Sequence, residues 1–80
     1  MSEYSVVLTV LGKESRYKAD TLVEIFDQLK PDVVKGKAIL VVSKGKLKAE
    51  AMLYPFQLKR LMVSKVMKAI WAKRLETRLQ

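Results

Sequence analysis

Apolar and polar positions along this 80-residue chain fall into five patterned segments joined by short connections. Residues 4–11 alternate, with Val6, Leu8 and Val10 on one face and Ser5, Val7 and Thr9 on the other, which predicts a strand ended by Gly12. Residues 15–19 could extend that strand or return the chain, because their pattern is weak. Thr21-Leu22-Val23-Glu24 has the form of a capping box, so a helix should begin there. Leu22, Ile25, Phe26 and Leu29 then recur at one helical stripe, and Pro31 disfavours helical geometry at Lys30. Residues 38–43 form a continuous apolar, β-branched run, Lys44-Gly45 supplies a turn, and residues 46–53 alternate strictly. Leu47, Ala49, Ala51 and Leu53 oppose Lys46, Lys48, Glu50 and Met52, and the hairpin is the clearest local pattern in the chain.

The last third, residues 54–80, reads as one long helix, with Pro55 tolerated in its first turn. Projection at the helical period puts Phe56, Leu58, Met62, Val63, Val66, Met67, Ala69 and Ile70 on one broad arc, opposite Gln57, Arg60, Ser64, Lys68 and Arg78. So wide an arc has two surfaces to cover, the chain's own sheet and a second protein. The predicted fold is a single α+β domain over residues 1–80, in which a three-stranded antiparallel sheet carries two helices on one face in the order β-α-β-β-α. Its open face would present Val7 and Leu11, Ile39 and Val41 or their neighbours, and Met52, only partly solvated by Lys46, Lys48 and Glu50. Either that face or the outer part of the final helix should be covered by a partner. The interface residues expected on the helix are Phe56, Leu58, Met62, Val63, Val66, Met67 and Ile70.

Charge sharpens the picture. Residues 1–34 hold four bases against six acids, whereas from Lys35 onward twelve bases face only Glu50 and Glu76. Clustering of this kind favours an acidic partner, nucleic acid first, although lysines on solvated faces need no partner. The candidate RNA-binding residues are Lys44, Lys46 and Lys48 on the hairpin, then Lys59, Arg60, Lys68, Trp71, Arg74 and Arg78 on the helix. The hairpin lysines, with Lys35 and Lys37, could follow a phosphate backbone or could protect a sheet edge from aggregation. Trp71 among cations could stack on a base, fill a partner's pocket or edge the core. Met52, Met62 and Met67 fit adaptable packing better than a ligand site.

Catalysis finds little support. Cysteine and histidine are absent, which removes disulfides, thiol nucleophiles, imidazole bases and the usual zinc sets. Gly12, Gly36 and Gly45 are isolated turn residues that make no phosphate-cradling loop. The expectation is a non-enzyme without cofactor or metal. The start, Met1-Ser2-Glu3-Tyr4, lacks the pattern of a secretory leader, and no apolar stretch approaches the roughly 20 residues of a membrane span, so a soluble cytoplasmic protein is expected. A membrane-surface helix is disfavoured because bases are spread around the final segment instead of flanking its apolar arc.

Two short motifs carry a resemblance. Leu29-Lys30-Pro31-Asp32 closes the first helix, and Leu58-Lys59-Arg60-Leu61-Met62-Val63-Ser64 opens the last. Together with the element order they resemble the small dimerisation subunit (Pcc family) of KEOPS, the complex that helps make threonylcarbamoyladenosine in tRNA. Members show a Leu-x-Pro-Asp or Leu-x-Pro-Glu helix end and a Leu-Arg-Ala-Ala-x-Asn-Ser opening. Lys59 stands where arginine is usual and Val63 where asparagine is, departures that fit a divergent paralogue pairing with the standard subunit. The resemblance implies a non-catalytic role, pairing as a homodimer or with a related small subunit, docking by helices onto the catalytic KEOPS subunit, and contributing to a tRNA-binding surface. The alternative is a free-standing small RNA-binding protein of ribosomal or signal-recognition-particle type.

Overall fold

The computed structural model describes residues 3–80; Met1 and Ser2, read above for a leader, lie outside them. Two hairpins and three helices follow one another: β1 (Tyr4–Val10), β2 (Lys13–Ala19), α1 (Leu22–Asp27), a 3-10 turn at Pro31–Val33, β3 (Ala38–Lys44), β4 (Leu47–Leu53), α2 (Pro55–Val63) and α3 (Lys65–Arg78). The sheet is antiparallel throughout in the order β2-β1-β3-β4. Among the described residues the architecture is therefore α+β with four strands and three helices in the order β-β-α-β-β-α-α, which corrects the expected three-stranded β-α-β-β-α arrangement.

Two physical causes explain the difference. The segment Lys-Glu-Ser-Arg-Tyr-Lys-Ala of β2 pairs along its whole length with β1, from Tyr4 opposite Ala19 to Val10 opposite Lys13. As an edge strand it gains its backbone hydrogen bonds from one neighbour and needs little apolar content, so it leaves only a faint period-two pattern. The turn that creates it is also disguised. Leu11 (φ 52) and Gly12 (φ 79) both take positive φ, the signature of a type I′ turn, and leucine is a costly choice there, at about 1–2 kcal/mol. The β3–β4 turn was legible from Gly45 (φ 62), but its two residues are Gly45 and Lys46, one position later than the expected Lys44-Gly45, because Lys44 still pairs with Leu47.

One face of the sheet supplies the core. Tyr4, Val6, Leu8 and Val10 of β1, Ala38, Leu40 and Val42 of β3, and Ala51 and Leu53 of β4 are buried against Leu22, Ile25, Phe26, Leu58, Leu61, Trp71, Ala72 and Leu75 of the helices. Thr21 caps α1 by accepting a hydrogen bond from the Glu24 amide (3.2 Å), as its position before the apolar stripe predicts. The helix is shorter than its stripe, stopping at Asp27 with Gln28 as C-cap, while Leu29 still reaches the core from beyond its end.

The expected single final helix is two helices. Ser64 has extended geometry (φ −111, ψ 118), donates its amide to the Arg60 carbonyl (2.9 Å) to close α2, and opens α3 by accepting the Met67 amide on its hydroxyl (3.2 Å). A straight helix from Pro55 to Arg78 would run about 36 Å at 1.5 Å per residue, longer than the 32 Å greatest extent of the molecule. The break folds both pieces onto a sheet whose seven-residue strands are only about 24 Å long. Past the end of α3, Gln80 and Lys48 exchange backbone hydrogen bonds (3.1 and 3.2 Å), covering part of the β4 edge.

Candidate functional site

The open side of the sheet is organised in cross-strand rows. Register places Arg16, Val7, Val41 and Glu50 side by side, with Lys18, Ser5, Ser43 and Lys48 in one flanking row and Glu14, Thr9, Ile39 and Met52 in the other. The centre is apolar and the two edge strands carry charge. Ile39 and Met52 are exposed. Leu11, expected on this face, instead sits in the β1–β2 turn, where its side chain lies over Gly36.

A second apolar surface lies on the outer side of α2 and α3. Val63 (79% exposed) and Val66 (68%) flank the break at Ser64, and Ile70 follows one turn later. Phe56 is exposed too, two turns before Val63 and so about 10 Å away along the axis. Leu58, expected in this group, is fully buried in the chain's own core, because the core side of α2 is set by Leu58 and Leu61. Met62 and Met67 are half-buried and pack at the margin of that core. The core side of α3 is Trp71, Ala72 and Leu75. The expected arc was centred on the wrong side because four outward residues are as apolar as the inward ones.

That phase error also moves two RNA candidates. Lys68 points inward, its side chain 12% exposed, and its ammonium sits 2.6 Å from the Asp27 carboxylate, so it pins α3 to α1 and is withdrawn from an external surface. Trp71 is 8% exposed and belongs to the core, so it offers no face to a base; its indole N–H has no acceptor, and the Arg74 guanidinium lies 5.2 Å from its ring. Lys44 is engaged with Tyr4, its ammonium 3.3 Å from the phenol oxygen and 4.7 Å from the ring centroid.

Among the described residues the remaining candidate cations form no ion pair. Lys46, Lys48, Lys59, Arg60, Arg74 and Arg78 are exposed, and among the described residues the ion pairs are Arg16 with Glu14 and Lys68 with Asp27. Lys73, Arg74 and Arg78 line one open groove on α3 with Ile70 and Thr77, whose hydroxyl donates to the Lys73 carbonyl (2.9 Å). Positive charge is therefore uncompensated along the outer helices.

One feature escaped the sequence reading. Tyr54 (46% exposed) and Phe56 (63%) stand with their rings nearly parallel, 4° between planes and 6.2 Å between centroids, and the Lys37 ammonium lies 6.0 Å from the Tyr54 ring. Its signal is the observed register of the hairpin, in which Ala38 pairs with Leu53 and the next residues outward, Lys37 and Tyr54, lie against each other; a turn at Lys44-Gly45 would have put Met52 there instead.

Among the described residues no group of three His, Cys, Asp or Glu side chains is placed to hold a metal ion, and no helix is long and apolar enough to cross a membrane. No family model, curated protein or solved structure matches this chain.

Proposed function

We propose that this chain is a non-catalytic assembly subunit that pairs through its open sheet face and docks a larger protein through the outer side of α2 and α3. The motifs at Leu29-Lys30-Pro31-Asp32 and Leu58 to Ser64 point to a KEOPS-type tRNA-modifying assembly as its setting, working in the cytoplasm. The observation that carries the proposal is the pair Val63 and Val66, the two most exposed valines, standing on either side of a helix break. Nothing in the chain's own fold requires apolar residues there, and an apolar surface left open beside a complete core is characteristic of a docking site.

The sheet face has the character of a self-pairing surface. Rotating a second copy about an axis along the strands lays β2 over β4, which brings Arg16 to Glu50 at both ends of the central row while Val7 and Val41 meet in the middle. The same rotation brings Lys18 near Lys48, a contact that such long side chains relieve by turning to solvent. Four strands of seven residues span about 24 by 19 Å, or roughly 450 Å² a side, below the roughly 800 Å² per partner of a standard interface. The sheet face alone therefore supports a modest dimer, and a second docking surface on the helices gives the assembly its stability.

Light scattering on the purified chain, alone and mixed with the catalytic KEOPS subunit, tests this directly. The expected result is a dimer that gains mass with that subunit. Val41→Lys should yield a monomer, while Val66→Asp should leave the dimer and lose the larger complex. A chain that stays monomeric at every concentration and ignores the subunit overturns the proposal. The uncompensated cations Lys59, Arg60, Lys73, Arg74 and Arg78 favour a second reading, the free-standing RNA-binding protein, for which a monomer that gains mass only with RNA at low salt is the expected behaviour.

A further inference from the structure

We infer that Tyr54 and Phe56 form a stacking platform for an unpaired nucleobase of single-stranded RNA. The inference shares the RNA setting of the function proposed above, but it requires only the isolated chain and names a site that neither assembly nor general basicity supplies.

The rings are preorganised. Tyr54 is the N-cap of α2 in extended geometry (φ −77, ψ 161), its amide donates to the Gln57 side-chain oxygen (2.9 Å), and Pro55 fixes the next φ. Two aromatic side chains are thus projected from one rigid helix start into solvent, so a base arriving there meets flat apolar area that costs little entropy to order. Their near-parallel planes suit stacking and give no enclosing pocket, whereas an aromatic anchor for a protein partner usually ends buried in one.

The surrounding charge selects the ligand. Lys37 stands against Tyr54, Lys35 precedes it in the same connection, and Lys59 and Arg60 follow Phe56 by three and four residues, the helical spacing that puts them on its side of α2. Asp32, on the 3-10 turn, is the acid in the segments that supply these cations. A base with its phosphate satisfies both parts of this surface at once: the π-face covers the rings and the phosphate meets Lys37, Lys59 or Arg60. In a duplex the bases are already stacked on each other and cannot reach the platform, so the site should distinguish single from double strands.

The test is fluorescence anisotropy with a labelled short oligoadenylate, compared with the same strand annealed to its complement, at low salt. The wild type should bind the single strand at least tenfold more tightly. Replacing Tyr54 and Phe56 together by Ala should lose about tenfold or more of single-strand affinity and leave duplex affinity unchanged, whereas Tyr54→Phe should bind as the wild type does. Lys37→Glu should weaken binding and flatten its salt dependence. Because both rings are exposed, the melting temperature of the double variant should stay near the wild-type value. Proton NMR on the unmutated chain gives an independent check, since a stacked base must shift the Tyr54 and Phe56 ring protons upfield. Equal affinity for both forms, ring signals that do not move, or ring signals that respond only to an acidic helical peptide would each overturn the inference. A chain that binds the strand through these rings yet remains monomeric would uphold the platform while removing the assembly role.

Discussion

The inward and outward sides of α2 and α3 are built from the same kinds of residue and have opposite fates. Leu58, Leu61, Ala72 and Leu75 face the sheet and are buried, while Phe56, Val63, Val66 and Ile70 face solvent. Hydrophobicity alone did not choose between them. What chose was the geometry of the sheet and the break at Ser64, which together decide which line of side chains meets the strands. The outward residues add nothing to the chain's own core. The same division separates cations of identical chemistry: Lys68, facing inward, is spent on Asp27, whereas Lys59, Lys73 and Arg78, facing outward, have no acid partner among the described residues.

The comparison can be broken most severely from the inside. Leu61→Ala removes a fully buried side chain and should cost about 3 kcal/mol, read as a lower urea midpoint with an unchanged slope. Next comes the hinge that sets the phase. Ser64→Ala deletes the hydroxyl that caps α3 and should cost about 1 kcal/mol in the same titration, with helix content by circular dichroism held or slightly lowered as the first turn of α3 frays. Smaller again is Asp27→Asn, which leaves the Lys68 ammonium without its counter-charge. Since the carboxylate is more than half exposed, the expected loss is about 0.5–1 kcal/mol, and it should shrink as salt is added. The outer side should give the smallest change in stability. Val66→Asp should stay within about 0.5 kcal/mol of the wild type, and a large destabilisation would mean that the outward valines are structural after all.

Legibility followed the strength of each element's own pattern. The β3–β4 hairpin could be read because a continuous β-branched run and a strictly alternating segment flank a glycine turn, and the start of α1 because Thr21 and Glu24 sit at capping distance. β2 could not, since an edge strand of mostly polar residues is specified by its partner, and Leu11 in the turn hid the positive φ that would have announced it. The final helices were read as apolar and basic, correctly in composition and wrongly in phase. With apolar residues on two sides, a single-sequence projection has no way to know which arc the sheet will take. That error carried Leu58 and Lys68 onto an external surface they do not occupy, while Trp71 takes the place at the core that was one of its three readings. The aromatic platform was missed because it depends on a contact across the hairpin, between Lys37 and Tyr54, and no local spacing reports it.

By itself the sequence determined a hairpin, a capped first helix, a basic apolar last third and the absence of histidine and cysteine from these residues. These are local or compositional properties, set by side-chain period, turn residues and residue type. Tertiary structure alone decided that Lys13–Ala19 joins the sheet, that the last helix breaks at Ser64, and which apolar and cationic residues are left facing outward. Each of those outcomes depends on fitting elements against one another over a sheet of fixed size, and packing of that kind is a property of the whole chain that no segment carries alone.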